Sequence, residues 1–263
     1  MNLSERIFAQ RTTEQTRRAT EKNEYKQMNN WDGLGSLLIA SIEFILLINL
    51  VFFAEKNKFN KLAMMLILIL MTYQLLEFLM CQVGLSSSLM AYFAFAVISL
   101  LPPFNFILVA ELYNFKSKAI ALIFLPATAF ILYYLFVIDQ FTVTSCAVLY
   151  ATYNYPLGDL YGLFYYAPVV AVIVLLLQGI KKGNDKKILF ISKVLLAGNI
   201  IISIPTAVVF ILIAACDYYF IAKIESIMCK FAFVYALCLS IVCLYNSKRK
   251  NERNNPEHLP GNK

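Results

Sequence analysis

Glu43, Gln74, Glu77 and Lys230 put charge and amide chemistry inside apolar surroundings. Each stands in or at the edge of a run of Leu, Ile, Phe and Ala long enough to form a membrane helix, where an ionisable group is costly and by default functional. Gln74 and Glu77 are three positions apart, so a helix presents both on one face. Lys230 supplies a cation able to neutralise Glu43 or Glu77. A set of this kind suits a small polar ligand. It also suits a plainer purpose, an ion pair that holds a bundle together, because embedded charges usually pair.

A second constellation is aromatic. The stretch YNYPLGDLYGLFYY, residues 153–166, carries Tyr153, Tyr155, Tyr161, Tyr165 and Tyr166 around the turn-forming Pro156, Gly158 and Asp159. Tyr rings commonly gather at headgroup level as an interfacial belt. The alternative is a folded lid over an outward-facing pocket, in which Tyr153, Tyr155 and Tyr161 offer faces to an apolar or cationic ligand. The preceding FTVTSCAVLY, residues 141–150, has the β-branched and aromatic content of an extended strand or hairpin.

The elements that must position these residues follow from composition. Of 263 residues, 60% are hydrophobic and 15% charged, against about a quarter charged in an ordinary soluble domain. The apolar residues gather in seven runs, near 34–54, 62–81, 88–112, 119–138, 161–180, 188–215 and 225–246, and a bilayer core needs about 20 apolar residues per helix. The fold class expected is therefore all-α: a polytopic seven-transmembrane helix bundle. Residues 1–31 form a polar tail expected to be disordered, 32–246 the transmembrane domain, and 247–263 a basic cytoplasmic tail. Pro102, Pro103, Pro126, Pro168 and Pro205 are expected to break helix ladders within the spans.

Lys and Arg in short connections orient a bundle. EKNKFNK (55–61), YNFKSK (113–118), GIKKGNDKK (179–187) and the tail SKRKNER (247–253) are basic, whereas CQVGLSSS (81–88) and the 139–160 connection carry no Lys or Arg. The alternation places the basic connections and the C-terminus in the cytoplasm and the N-terminus outside. Arg6, Arg11, Arg17, Arg18, Lys22 and Lys26 oppose that orientation, and a translation start at Met28 would remove them. In this frame Glu43, Gln74, Glu77 and Lys230 all fall in the outer half of the membrane, beneath the Tyr-rich loop. Glu111 and Lys193 fall toward the cytoplasm, as an interhelical pair or as groups that snorkel to the interface.

Several function classes are set aside. His258 is the sole histidine and lies in the basic tail. No phosphate-binding Gly-rich loop, HExxH or CxxC occurs, so no enzyme, metal centre or cofactor is expected. The third span ends AELYNF and the last ends VCLYNS, without the signatures of animal G-protein-coupled receptors. Lys230 is too near the start of its run for a retinal Schiff base. Cys81, Cys146 and Cys216 lie at or beyond the outer surface, where oxidation is possible. A Cys81–Cys146 bridge would tether the long loop to the second span and leave Cys216 over.

The segment YPLGDLYGLFYYAPVVAVIVLLLQGIKK, entering the fifth span, and LLPPFNFILVAELY, closing the third, resemble the seven-transmembrane sensor regions at the N-terminus of some bacterial histidine kinases and cyclases. The resemblance covers roughly residues 32–246. It implies a receptor-like protein of the bacterial inner or cytoplasmic membrane that takes a small-molecule ligand on its outer side. Such regions feed an output domain, whereas here a short polar stretch follows the last span. The expected partner is then a separate cytoplasmic output protein, with the lipid bilayer around the bundle and no nucleic acid. The rival expectation is a small transporter or channel whose embedded carboxylates carry protons or cations. Against it, the chain has no internal repeat, the usual trace of transporter folds.

Overall fold

The computed structural model describes residues 34–85, 87–115, 118–140, 142–146, 151–154, 156–214 and 221–254. The N-terminal tail, Tyr155 and the last nine residues lie outside this set, as do the side chains of residues 142–154 and 221–229. The chain runs α1 Leu34–Phe53, α2 Lys58–Cys81, α3 Ser88–Ser99, α4 Leu101–Leu112, α5 Phe124–Phe136, β1 Thr142–Cys146, β2 Ala151–Asn154, α6 Gly158–Lys182, α7 Lys186–Ala214 and α8 Ile221–Asn254.

Among the described residues, six helical stretches are long and apolar enough to cross a membrane: α1, α2, α3 with α4, α6, α7 and α8. Their outward faces are as apolar as their cores. On α1 the buried stripe is Ser36, Ala40, Glu43 and Leu50, a heptad-like spacing, while Phe44, Ile45, Val51, Phe52 and Phe53 stand exposed. A belt of that kind has no stable contact with water and fits a hydrocarbon surround. This is a multi-pass helical membrane protein.

The seventh apolar run departs from expectation. Residues 119–138 form a 3-10 stretch, Lys118–Ile123, and then α5, only 13 residues long. At 1.5 Å per residue α5 reaches about 20 Å, short of the ~30 Å hydrocarbon core. Pro126 explains where the α-helix proper begins, because a proline is tolerated in the first turn, where its missing N–H has no partner to lose. Only Tyr134 on α5 is fully buried, and Leu125, Leu132 and Phe136 face outward, so the element sits at the rim.

Prolines also divide the third span. Pro102 and Pro103 occupy the first positions of α4 and cannot donate backwards, so α3 ends at Ser99 and the ladder restarts around Leu100. The expected hairpin is present: β1 and β2 pair antiparallel, with an irregularity in register between Val143 and Ser145.

The centre of the bundle is α2, which packs on α1, α3, α4 and α8. Its Ala63, Leu66, Ile67 and Leu70 are fully buried among Leu108, Leu176, Leu195, Tyr235 and Leu239. α8 also packs extensively along α7. It overruns the boundary expected at residue 246, continuing as helix to Asn254. The overrun is made of Lys, Arg, Asn and Glu, of which the first two are good helix formers and favourable near a C-terminus. No breaker intervenes before Pro256, which disfavours helix at the residue ahead of it.

Candidate functional site

The N-terminal halves of α1 and α8 and the C-terminal half of α2 meet at one ammonium. Lys230 Nζ donates to Ser36 Oγ at 2.7 Å, to Gln74 Oε1 at 2.7 Å and to Glu77 Oε2 at 2.8 Å. The three acceptors exhaust its three N–H donors. Ser36 opens the inward stripe of α1, and Gln74 and Glu77 share one face of α2 as their spacing predicts. The pair is withdrawn from solvent, with side-chain exposures of 11% for Lys230 and 1% for Glu77. Ion pairing of this kind gains over a lone charge only because hydrogen bonds satisfy the remaining valences, and here the serine and the amide supply them.

Glu43 lies one heptad after Ser36 on the same stripe, about 10 Å further along the helix axis. It is fully buried, and neither carboxyl oxygen has a hydrogen-bond partner. The charge of Lys230 acts on it electrostatically, but no N–H of that ammonium is directed to it. Of the two carboxylates expected to answer Lys230, Glu77 is therefore bonded and Glu43 is not.

Tyr161 is not part of this cluster. It lies in the first turn of α6, buried in a second core with Tyr73, Tyr92, Phe95 and Tyr134. Its ring centroid is 4.6 Å from that of Phe95, and its hydroxyl is 3.0 Å from Ser99 Oγ. Since Ser99 donates to Phe95 O, the Tyr161 hydroxyl is the donor between them. In this position the ring packs in the aromatic core and also lines a small cavity with Ser99, Phe130 and Pro168. Tyr134 has a similar part, donating to Pro156 O at 2.6 Å and so pinning the start of α6. The side chains of Tyr153 and Tyr155, the other two aromatic candidates, lie outside the described residues.

Sequence reading missed a second polar junction deeper in the bundle. Asn105 on α4 donates through Nδ2 to Asn199 Oδ1 on α7 at 2.7 Å, and the Tyr235 hydroxyl on α8 donates to Asn105 Oδ1. Asn199 Nδ2 in turn donates to Leu195 O. The signal available was an asparagine in the middle of each of two apolar runs, each needing a partner in hydrocarbon. A third junction closes the opposite end: Ser247 Oγ on α8 accepts from Glu55 N and Asn60 Nδ2, and Asn246 Nδ2 donates to Asn60 Oδ1. Nearby, a cleft of about 400 Å³ is lined by Tyr113, Phe115, Gln178, Lys182 and Asp185 among others.

Glu111 and Lys193 form no ion pair with each other. Lys193 points outward from α7, in the manner of a side chain that snorkels to the interface. Cys81, at the end of α2, is disulfide-bonded, and its partner falls outside the described side chains. Cys238 and Cys243 are free thiols on α8. No protein-family model matches the chain, and no curated protein or solved structure matches it.

Proposed function

We propose that this protein is a receptor-like membrane sensor with seven crossings, its N-terminus outside and its C-terminus in the cytoplasm of a bacterial inner membrane. It binds a small ligand at the outer cluster of Ser36, Glu43, Gln74, Glu77 and Lys230 and signals through a separate cytoplasmic protein. The observation that carries this reading is the Lys230 ammonium, which joins three helices through one set of hydrogen bonds. A ligand whose anionic group takes Lys230, or whose cationic group takes Glu77, releases that junction and frees α1 and α2 from α8.

The rest of α8 suits it to carry the change. From Lys230 to Ser247 the helix runs about 26 Å and ends in the Asn60–Ser247–Asn246 junction on the α1–α2 connection. A shift at the outer end is thereby offered to the opposite face, where the cleft beside the basic turn GIKKGNDKK is open to an output partner. Two features support the orientation. Basic connections alternate with ones that carry at most a single lysine, Lys223, and Cys81 is oxidised at the end of α2 assigned to the outside, where disulfides persist. The alternation requires α5 and its 3-10 lead-in to cross as the fourth span, with local thinning of the bilayer around a short element.

A second reading, a transporter that moves protons or cations through its embedded carboxylates, is favoured by one observation: the unpartnered Glu43. Flux measurements on the protein in liposomes separate the two. The sensor reading expects no ion or solute flux above empty vesicles. Flux that Glu77→Gln abolishes would replace it with the transporter.

A further inference from the structure

We propose that Glu43 is a protonation site: in the conformation described here it carries its proton as the neutral carboxylic acid, and Lys230 controls when it lets that proton go. The proposal stands on the cluster's geometry and does not depend on the sensor reading. Two buried carboxyl groups lie within the electrostatic reach of one lysine. Glu77 holds the ammonium at 2.8 Å, and Ser36 and Gln74 take its other two N–H groups. Among the described residues no other cation is directed to Glu43, whose side chain is fully buried and whose oxygens accept no hydrogen bond. An ionised carboxylate without a donor in a low-dielectric interior is far more costly than a neutral acid in the same place. Two carboxyls that share one cation commonly hold one proton between them, and here the geometry assigns it to the group without a donor.

The titratable neighbours of Glu43 are limited. α1 packs on α2 and α8. The outer half of α2 presents Glu77, with Tyr73 turned into the aromatic core. α8 presents Lys230, with Tyr235 bonded to Asn105. The side chains of Lys223, Glu225 and Cys229 lie outside the described set. The Lys230 stem is long and unbranched, so its ammonium can turn from Glu77 toward Glu43. That move breaks the Glu43 O–H bond, passes the proton to water entering from the outer side, and leaves Glu43 as the paired carboxylate. Glu77, left without the ammonium, takes up a proton from that water, so the two carboxyls hold one proton between them in either state. The cluster is in this way a two-position switch between a lysine–Glu77 state with a proton on Glu43 and a lysine–Glu43 state without it.

Infrared spectroscopy of the full-length protein in nanodiscs tests the assignment. At neutral pH the wild type is expected to show the carbonyl stretch of a buried protonated carboxyl, displaced in heavy water, and Glu43→Gln is expected to remove it. Should Glu43→Gln fail to fold, Lys230→Met combined with Glu77→Gln keeps Glu43 as the cluster's only carboxyl and is expected to retain the band. Raising the pH is expected to lower the stability of the wild type, because the folded state holds a proton that the unfolded chain releases. Glu43→Gln flattens that slope. A wild type with no such band, a band that survives Glu43→Gln, or a double variant that lacks it would each overturn the proposal.

Discussion

Glu77 Oε2 lies 2.8 Å from Lys230 Nζ, across 153 positions of sequence. The pair ties the second helix of the bundle to the last, and with Ser36 it brings in the first. Three helices thus share one polar vertex, at the opposite end of the bundle from the Asn60–Ser247 junction. Polar groups of this kind define which helix faces meet, since lipid and protein interiors are equally apolar and the hydrophobic effect discriminates little between them.

Removing one member of the pair therefore costs more than removing both. Lys230→Met leaves Glu77 buried without its cation, a change that typically costs ~3–5 kcal/mol in a soluble interior and less in lipid, where water and snorkelling relieve it. Thermal unfolding in detergent is expected to show that loss, and adding Glu77→Gln is expected to restore much of it. Glu43→Gln in the Lys230→Met background should restore less, because Glu43 accepts no hydrogen bond from the lysine. Purely additive losses for Lys230→Met and Glu77→Gln would mean that the two side chains do not meet.

The deeper junction gives an independent measure of buried polarity. Asn105→Leu leaves the Tyr235 hydroxyl and the Asn199 carbonyl oxygen without the partners they have now. An unsatisfied buried polar group costs about 1–3 kcal/mol, although interhelical bonds in membranes average nearer ~0.6 kcal/mol. A loss of about 1–2 kcal/mol is expected in the same unfolding assay. Tyr235→Phe should cost less once Asn105 is Leu, since the hydroxyl has then already lost its bond to Asn105 Oδ1. If both losses persist in full in the double variant, the bond contributes nothing to stability.

The outer cluster was largely legible in the sequence because its parts obey one-dimensional rules. Helix depth follows from counting residues, and the shared face of Gln74 and Glu77 follows from their spacing. What counting does not give is the angle at which each helix faces its neighbours, and the misses share that cause. Asn105 and Asn199 could be placed at depth but not aimed at each other. Tyr161 was expected at a surface because it follows a turn, but α6 begins at Gly158 and its first turn rotates that ring inward. The last apolar span ends where hydropathy does, near residue 247, whereas the backbone ladder continues past it to Asn254.

Orientation is open to a direct check. Asn184, exposed between α6 and α7, and Leu85, exposed between α2 and α3, belong to connections assigned to opposite faces. In intact cells a cysteine at Asn184 is expected to be shielded from an impermeant thiol reagent, and one at Leu85 to be labelled. Both should be labelled after permeabilisation, which establishes that each thiol is accessible. The opposite pattern in intact cells would invert the bundle and move the Lys230 cluster to the cytoplasmic half.

Two glycines test how tightly the last helices pack, and the structure ranks them. A Cβ at Gly198 on α7 would come within 2.7 Å of the Tyr235 ring and 3.2 Å of Cys238 Sγ. Tyr235 is fully buried and held by Asn105, so it has nowhere to move. A Cβ at Gly179 on α6 would fall 2.0 Å from the Tyr113 hydroxyl, a worse clash on paper. Tyr113, however, is only half-buried beside the open cleft and is held by a single bond to Ser192 at 2.7 Å. It can swing outward for roughly the net worth of that bond, about 0.5–1.5 kcal/mol. Overpacking against a fixed core ring costs more, typically ~1–3 kcal/mol. Gly198→Ala is therefore expected to destabilise more than Gly179→Ala despite its longer approach distance. Tyr113→Ala should make Gly179→Ala nearly silent, whereas Tyr235→Phe, which keeps the ring, should leave the penalty of Gly198→Ala in place. If Gly179→Ala proves the costlier of the two, Tyr113 is fixed by more than its bond to Ser192.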